Sequence, residues 1–228
     1  MSRIANVVRL QFVNRQTFVG IPLMILGSAF VLSLAILALV PYTDVKYAGG
    51  AAGAPMWYIG VVGAQALTLT FPFALSLGVT RREFHLGTLL TAAATAMGLA
   101  AIYCIIAIVE GATNGWGMNS YFSWPFLGAD KLGTSFLAYF TATMLLFSIG
   151  YLGAAVAKRW GAAILVFSII VLVAVLALAI TLATRNGTLP DILAWFAGLG
   201  IAGGAGLALL LVALLWLASY LLVRRLTP

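Results

Sequence analysis

Residues 161–183 read GAAILVFSIIVLVAVLALAITLA. This stretch of 23 residues holds no charged side chain, and its only polar groups are the hydroxyls of Ser168 and Thr181. As a helix rising 1.5 Å per residue it reaches about 34 Å, enough to cross a hydrocarbon core about 30 Å thick. Working outward, five further runs share its size and its lack of Asp, Glu, Lys and Arg: 18–40, 57–79, 87–109, 134–157 and 201–223. The whole chain of 228 residues is 64% hydrophobic and 7% charged, against about 45–50% apolar and 25% charged in an ordinary soluble domain. That composition excludes a water-soluble globular protein. The reading is an all-α integral membrane protein, one transmembrane domain over 1–228, with six transmembrane helices. The longest piece outside the runs, 110–133, has 24 residues, too few for a soluble domain.

The charges orient these spans. Six crossings put both termini on one side, with the loop at Arg81 and the turn at Lys158. That side carries Arg3, Arg9, Arg15, Arg81, Arg82, Lys158, Arg159, Arg224 and Arg225; the other has only Lys46, Lys131 and Arg185, with four of the five acids, Asp44, Glu110, Asp130 and Asp191. Short cytoplasmic loops carry the excess of Lys and Arg, so both termini are expected to be cytoplasmic in a multi-pass protein of the cell (inner or plasma) membrane. The net charge of +7 belongs to these collars. With no aromatic platform or long basic run, no nucleic-acid partner is expected.

Much chemistry is missing from the residues. His85 stands alone, with no second His or Cys to complete a metal site and no G-x-S-x-G nucleophile; it reads as a solvated interfacial residue. Cys104 lies within a span and reads as a packing residue. The three lysines occur as VKY, DKL and AKR, so there is no P-loop of the form G-x-x-x-x-G-K-[ST]. The first span is too long for a signal-peptide core and is expected to stay uncleaved. No catalytic or metal site is expected, and no cofactor in this chain. If transport is driven by nucleotide, ATP and Mg belong to another polypeptide.

Four stretches carry more specific information. Residues 1–17 mix Ile4, Val7, Val8, Leu10 and Phe12 with Arg3, Arg9 and Arg15, as in a helix lying in the membrane interface, though a plain basic leader has the same look. Between the second and third runs, ALSLGVTRREFHLGTLL contains Gly78, suited to ending a helix, and Thr80 with Glu83, the T-x-x-E spacing of a capping box that starts the next one. Arg81 and Arg82 then fall in a first turn, where positive charge opposes the helix dipole. Either they anchor the loop to the cytoplasmic face, or they form a docking knob for a partner.

In the second run, Tyr58, Gln65, Thr68, Pro72 and Ser76 share a helical stripe about 80° wide. The stripe suits a translocation path or hydrogen bonding between helices, and Pro72 should kink the helix or leave carbonyls unpaired. Finally, 188–199 starts with a cap-like Thr188-Leu-Pro-Asp191 and leads into a glycine-rich segment. It reads as a short re-entrant helix, or as one lying flat with Trp195 as its belt anchor.

An amphipathic N-terminal helix, six spans, a basic loop after the second and a short helix before the sixth together resemble the permease subunit of a bacterial ATP-binding-cassette exporter of the type-2 (type V) kind. FPFALSLGVTRREFHLGT is similar to a segment of that family. The resemblance implies a coupling loop at 78–86, with Gly78, Thr80, Arg81, Arg82, Glu83, Phe84 and His85 meeting a separate nucleotide-binding ATPase and Arg81, Arg82 and Phe84 making its closest contacts. Arg3, Arg9 and Arg15 would lie on the connecting helix beside it.

It further implies a substrate path along spans two and five, passing Tyr58, Gln65, Thr68, Phe71, Pro72, Ser76 and Ser168. Because span five has so little polar lining, the cargo would be hydrophobic or amphipathic. The working unit would be two permease chains with two ATPase subunits among membrane lipid, and no bond chemistry in the permease itself. The other classes considered are the substrate-binding membrane component of a vitamin importer, a structural or regulatory membrane protein, and an intramembrane enzyme.

Overall fold

The computed structural model describes residues 3–39, 45–124, 127 and 131–224; Asp44, Asp130 and Arg225, counted above, lie outside them. Among the described residues are eight α-helices: α1 (Arg3–Val13), α2 (Ile21–Leu39), α3 (Ala54–Gln65), α4 (Phe71–Ser76), α5 (Arg81–Ala112), α6 (Leu132–Trp160), α7 (Ala162–Arg185) and α8 (Leu189–Val223). Six helical stretches are long and apolar enough to cross a membrane: Gln16–Leu39, Gly49–Ser76, Arg81–Ala112, Leu132–Trp160, Ala162–Arg185 and Leu189–Val223. The chain is a membrane protein on that ground. Several spans run past their uncharged cores, because a helix continues into the polar boundary wherever its caps lie. The third therefore covers Arg81–Ala112 rather than 87–109.

α6 is the hub. It packs on α3, α5 and α8, and its contact with α3 is a glycine crossing. A Cβ added at Gly150 would collide with the Gly60 carbonyl, and one at Gly63 with the Phe147 carbonyl. Lipid tails are as apolar as leucine, so helices in a bilayer gain from close backbone approach rather than from burying apolar area. α3 and α4 belong to one span, joined through a widened turn at Ala66–Thr70 in which the Phe71 N–H reaches back five residues to the Ala66 carbonyl. Pro72, which lacks an N–H, sits in the first turn after it. The wide turn is how the helix absorbs the proline, in place of the sharp kink or orphaned carbonyls expected from the sequence.

Two apolar clusters mark the ends of the bundle. One gathers Val7, Phe71, Phe84, Tyr151, Trp216 and Val223, so α1, the start of α5 and the ends of α6 and α8 meet at one end, called here the basic end. The other gathers Leu26, Ala52, Met56, Tyr103, Phe122 and Tyr139. Beside it, β1 (Lys46–Tyr47) and β2 (Ser120–Tyr121) form a short parallel pair with Lys46 opposite Ser120. α8 is broken at Gly200, whose φ of 63° and ψ of −175° only glycine adopts readily; the break falls inside the glycine-rich segment, after the short helix expected at 188–199. α7 has no buried residue.

Candidate functional site

The link between the second and third spans is built from backbone pairing that ends one helix and a side-chain cap that starts the next. Gly78 has φ 78°; its N–H donates to the Leu75 carbonyl at 3.0 Å, and the Val79 N–H to the Ala74 carbonyl at 3.1 Å. This is the Schellman pairing that closes a helix with a left-handed residue. Two residues on, the Glu83 N–H donates to Thr80 Oγ1 at 3.2 Å and the Thr80 N–H to Glu83 Oε2 at 2.9 Å. The capping box foreseen from T-x-x-E is present. The connection is therefore a tight turn, and of the residues assigned to it Gly78, Thr80 and Arg82 are exposed.

The remaining members of the loop face elsewhere. Arg81 donates through Nη1 to the Arg224 carbonyl at 3.0 Å, capping the far end of α8, where a cation complements the helix dipole. Phe84 is fully buried and meets the Phe71 ring edge-on at 5.1 Å, which corrects its expected place on a contact surface. His85, 5% exposed, is likewise not a solvated residue. Its ring lies 4.8 Å from Trp216, 5.2 Å from Tyr220 and 5.7 Å from Tyr151, with Nδ1 3.4 Å from the Tyr151 hydroxyl. One residue separates an exposed arginine from a buried aromatic pair because the helix turns 100° per residue.

α1 is fastened to this turn. Val7 and Gln11, one helical turn apart, are its buried residues. Val7 occupies the space over Gly87 that any side chain there would need, and Gln11 Nε2 donates to Thr88 Oγ1 at 2.7 Å. Arg3 stands 3.9 Å from Glu83, a surface pairing of little weight. Arg3 and Arg9 on α1, and Arg15 just beyond it, are exposed. Residues 1 and 2 lie outside the described residues; the helix ends at Val13, and a wide turn at Gln16–Gly20 leads into α2.

The polar stripe of the second span divides. Tyr58 and Gln65 are half-buried, Phe71 is 3% exposed and belongs to the core, and Thr68, Pro72 and Ser76 are exposed. Thr68 lines a lateral groove of about 1000 Å³ between α3, α6 and α7, whose walls also include Gly150, Gly153, Trp160, Leu165 and Ser168. The structure thus brings Thr68 and Ser168 to one groove, and leaves Tyr58, Gln65, Phe71, Pro72 and Ser76 off its wall. Thr68 Oγ1 donates to the Ala64 carbonyl at 3.0 Å and Ser168 Oγ to the Ile164 carbonyl at 2.7 Å. Both hydroxyl protons are spent within their own helices, so the groove offers a ligand an almost purely apolar wall.

At the opposite end is a residue that no motif singles out. Glu110, 1% exposed, accepts from the Phe122 N–H, from the Ser123 N–H at 3.2 Å, from the Ser123 hydroxyl and from Trp116 Nε1 at 3.2 Å. A buried carboxylate is tolerated when its oxygens are this fully engaged. It holds a loop in which Asn114, Trp116 and Asn119 all have positive φ, conformations costly for residues other than glycine. Among the described residues, no three His, Cys, Asp or Glu side chains come together as a metal would need.

Set beside models of known families, curated proteins and solved structures, the chain matches none of them.

Proposed function

We propose that this chain is the membrane-spanning subunit of an ATP-driven exporter of the ATP-binding-cassette type-2 (type V) kind, powered by a nucleotide-binding ATPase on a separate chain. The observation that carries the reading is the clamp between α1 and α5. Val7 over Gly87, and Gln11 on Thr88, join an interfacial helix to the turn between spans two and three. A push on that turn, or on the exposed Arg82, would reach both spans as one body. In this reading the basic end is cytoplasmic, the working unit holds two copies of the chain and two ATPases, and 188–199 forms a re-entrant helix in the outer leaflet. Cargo would be hydrophobic or amphipathic, since the groove at Thr68 and Ser168 has few polar groups to replace the water of a sugar or ion.

Purification of the tagged full chain from its native membrane tests this. A stoichiometric companion carrying Walker motifs is expected, and Arg82→Glu is expected to lower its recovery about tenfold, the effect of about 1.4 kcal/mol, with the permease still monodisperse. Recovery of the chain with no such companion, or a companion indifferent to Arg82→Glu, sinks the coupling assignment.

A further inference from the structure

At the basic end, the last turns of α6 and α8 open a cleft of about 360 Å³ lined by Arg159, Leu221, Leu222 and Arg224. Its two guanidinium groups are held by rings. Arg159 lies over Trp160 with 4.7 Å to the centroid, and Arg224 over Tyr220 at 5.7 Å. A third guanidinium arrives from α5, where Arg81 bonds the Arg224 carbonyl. Three cations thus gather where α6 and α8 end. Among the described residues no carboxylate pairs with any of them; the one acid near this end, Glu83, is engaged by Thr80 and faces Arg3.

Helix dipoles account for one cation per C-terminus. They do not account for a cleft between two termini lined by Arg159 of α6 and by Leu221, Leu222 and Arg224 at the end of α8. We propose that this cleft binds the phosphate headgroup of an anionic phospholipid of the adjoining leaflet, with Arg159 and Arg224 on the phosphate and Leu221 and Leu222 against the first acyl carbons. Guanidinium forks match phosphate oxygens in pairs, and Trp160 and Tyr220 stand in the last turns of their membrane-length helices, the part of a span where aromatic side chains are enriched. A free phosphate ion would use the same arginines and have no use for the leucine wall. The proposal stands independently of any exporter role, since it concerns lipid held by the chain itself.

The test uses the full chain in neutral detergent with three probes at matched concentration: short-chain phosphatidylglycerol, short-chain phosphatidylcholine and inorganic phosphate. Phosphatidylglycerol is expected to raise the melting temperature above the other two, with affinity falling about fivefold for each arginine replaced in Arg159→Gln and Arg224→Gln. Equal shifts with the two lipids overturn the proposal. So does a phosphate-only response equal to that of phosphatidylglycerol, which would make this a soluble-anion site. A lipid preference that survives both substitutions places the lipid elsewhere and also overturns it. Should the variants fail to fold, native mass spectrometry of the unaltered chain still decides: preferential retention of phosphatidylglycerol supports the site, and equal retention of both lipids overturns it.

Discussion

α6 and α7 follow one another in the chain, joined at Gly161, and both are long enough to cross a bilayer, yet they occupy opposite extremes of packing. α6 carries ten buried residues, among them Ser135, Thr141, Thr143 and Ser148, and α7 carries none. α7 is the more uniformly apolar, a near-continuous run of Val, Ile, Leu and Ala. Hydrophobicity therefore marks the helix that faces outward, while small and hydroxyl-bearing residues mark the one that faces other helices. That inverts the rule for soluble proteins, and it follows from the solvent. With no water to escape, association rests on close approach and hydrogen bonds. Two of these hydroxyls bond back to their own helix, Thr143 to Tyr139 and Ser148 to Met144, whereas Thr141 Oγ1 is buried with no hydrogen-bond partner among the described residues.

The largest effect expected from this contrast is at the glycine crossing. Gly150→Val would drive a side chain into the Gly60 carbonyl, with no flexible neighbour to move aside, and should cost about 3 kcal/mol or more. Loss of the monodisperse peak in detergent chromatography is the readout. Val173→Leu in α7, at an exposed position, should shift stability by no more than about 0.5 kcal/mol. Similar behaviour of the two variants would dissolve the distinction between the helices.

Next in size is Glu110. Glu110→Ala would leave the Phe122 and Ser123 N–H groups and Trp116 Nε1 without their acceptor, a loss of about 3 kcal/mol for donors stranded in a buried site. Glu110→Gln, which keeps one carbonyl oxygen, should fall between it and the unaltered chain in thermal unfolding. Equality of Glu110→Ala with the unaltered chain would mean that the loop over 115–124 is held by something other than this carboxylate.

The two sites differ in how far the sequence announced them. Six spans were legible because a charge-free run of 23 residues is a local property, and the turn at 78–83 because Schellman and capping-box bonds connect residues within five positions of each other. The break at Gly200 falls in a segment whose glycines permitted one. Glu110 was counted only as one charge of an outer loop, since the backbone N–H groups it accepts from are twelve and thirteen residues on. The cage around His85 needs Tyr151, Trp216 and Tyr220 from two other helices, and periodicity within one helix carries no trace of it. Phe84 beside Arg82 shows the same limit at single-residue scale. A motif marked both, and only tertiary packing divides the exposed from the buried. The amphipathic pattern of residues 3–13 gave the right outward arginines but could not show that Gln11 would find Thr88.

That last pair gives the third prediction. Thr88→Val removes the acceptor and strands a buried amide, at a cost of about 1–3 kcal/mol, and the cost should appear locally, as faster tryptic cleavage at Arg9 and Arg15 with little change in the melting of the bundle. Smaller again is Thr80→Ala, which deletes the side chain that caps α5 and should lower stability by about 1 kcal/mol. If tryptic cleavage were slowed by either change, the clamp between α1 and α5 would not be the fastening described.

The smallest expected effect on stability is the one that bears most on the contrast between α6 and α7. Ser168 is exposed, and its hydroxyl serves only the Ile164 carbonyl, so Ser168→Ala should alter unfolding by no more than about 0.5 kcal/mol. Ser168→Phe adds bulk to a groove of about 1000 Å³, and because α7 has no buried residue the added ring meets open space, so folding should again be nearly unchanged. In the exporter reading the two variants then separate in function. Ser168→Ala should leave cargo-stimulated ATP hydrolysis near its starting level, and Ser168→Phe should reduce it while basal hydrolysis by the partner persists. A destabilisation by Ser168→Phe as large as that from Gly150→Val would show that a second surface, such as another copy of the chain, closes over α7 as tightly as α3 closes over α6. Its outward face would then be packed against protein rather than lipid.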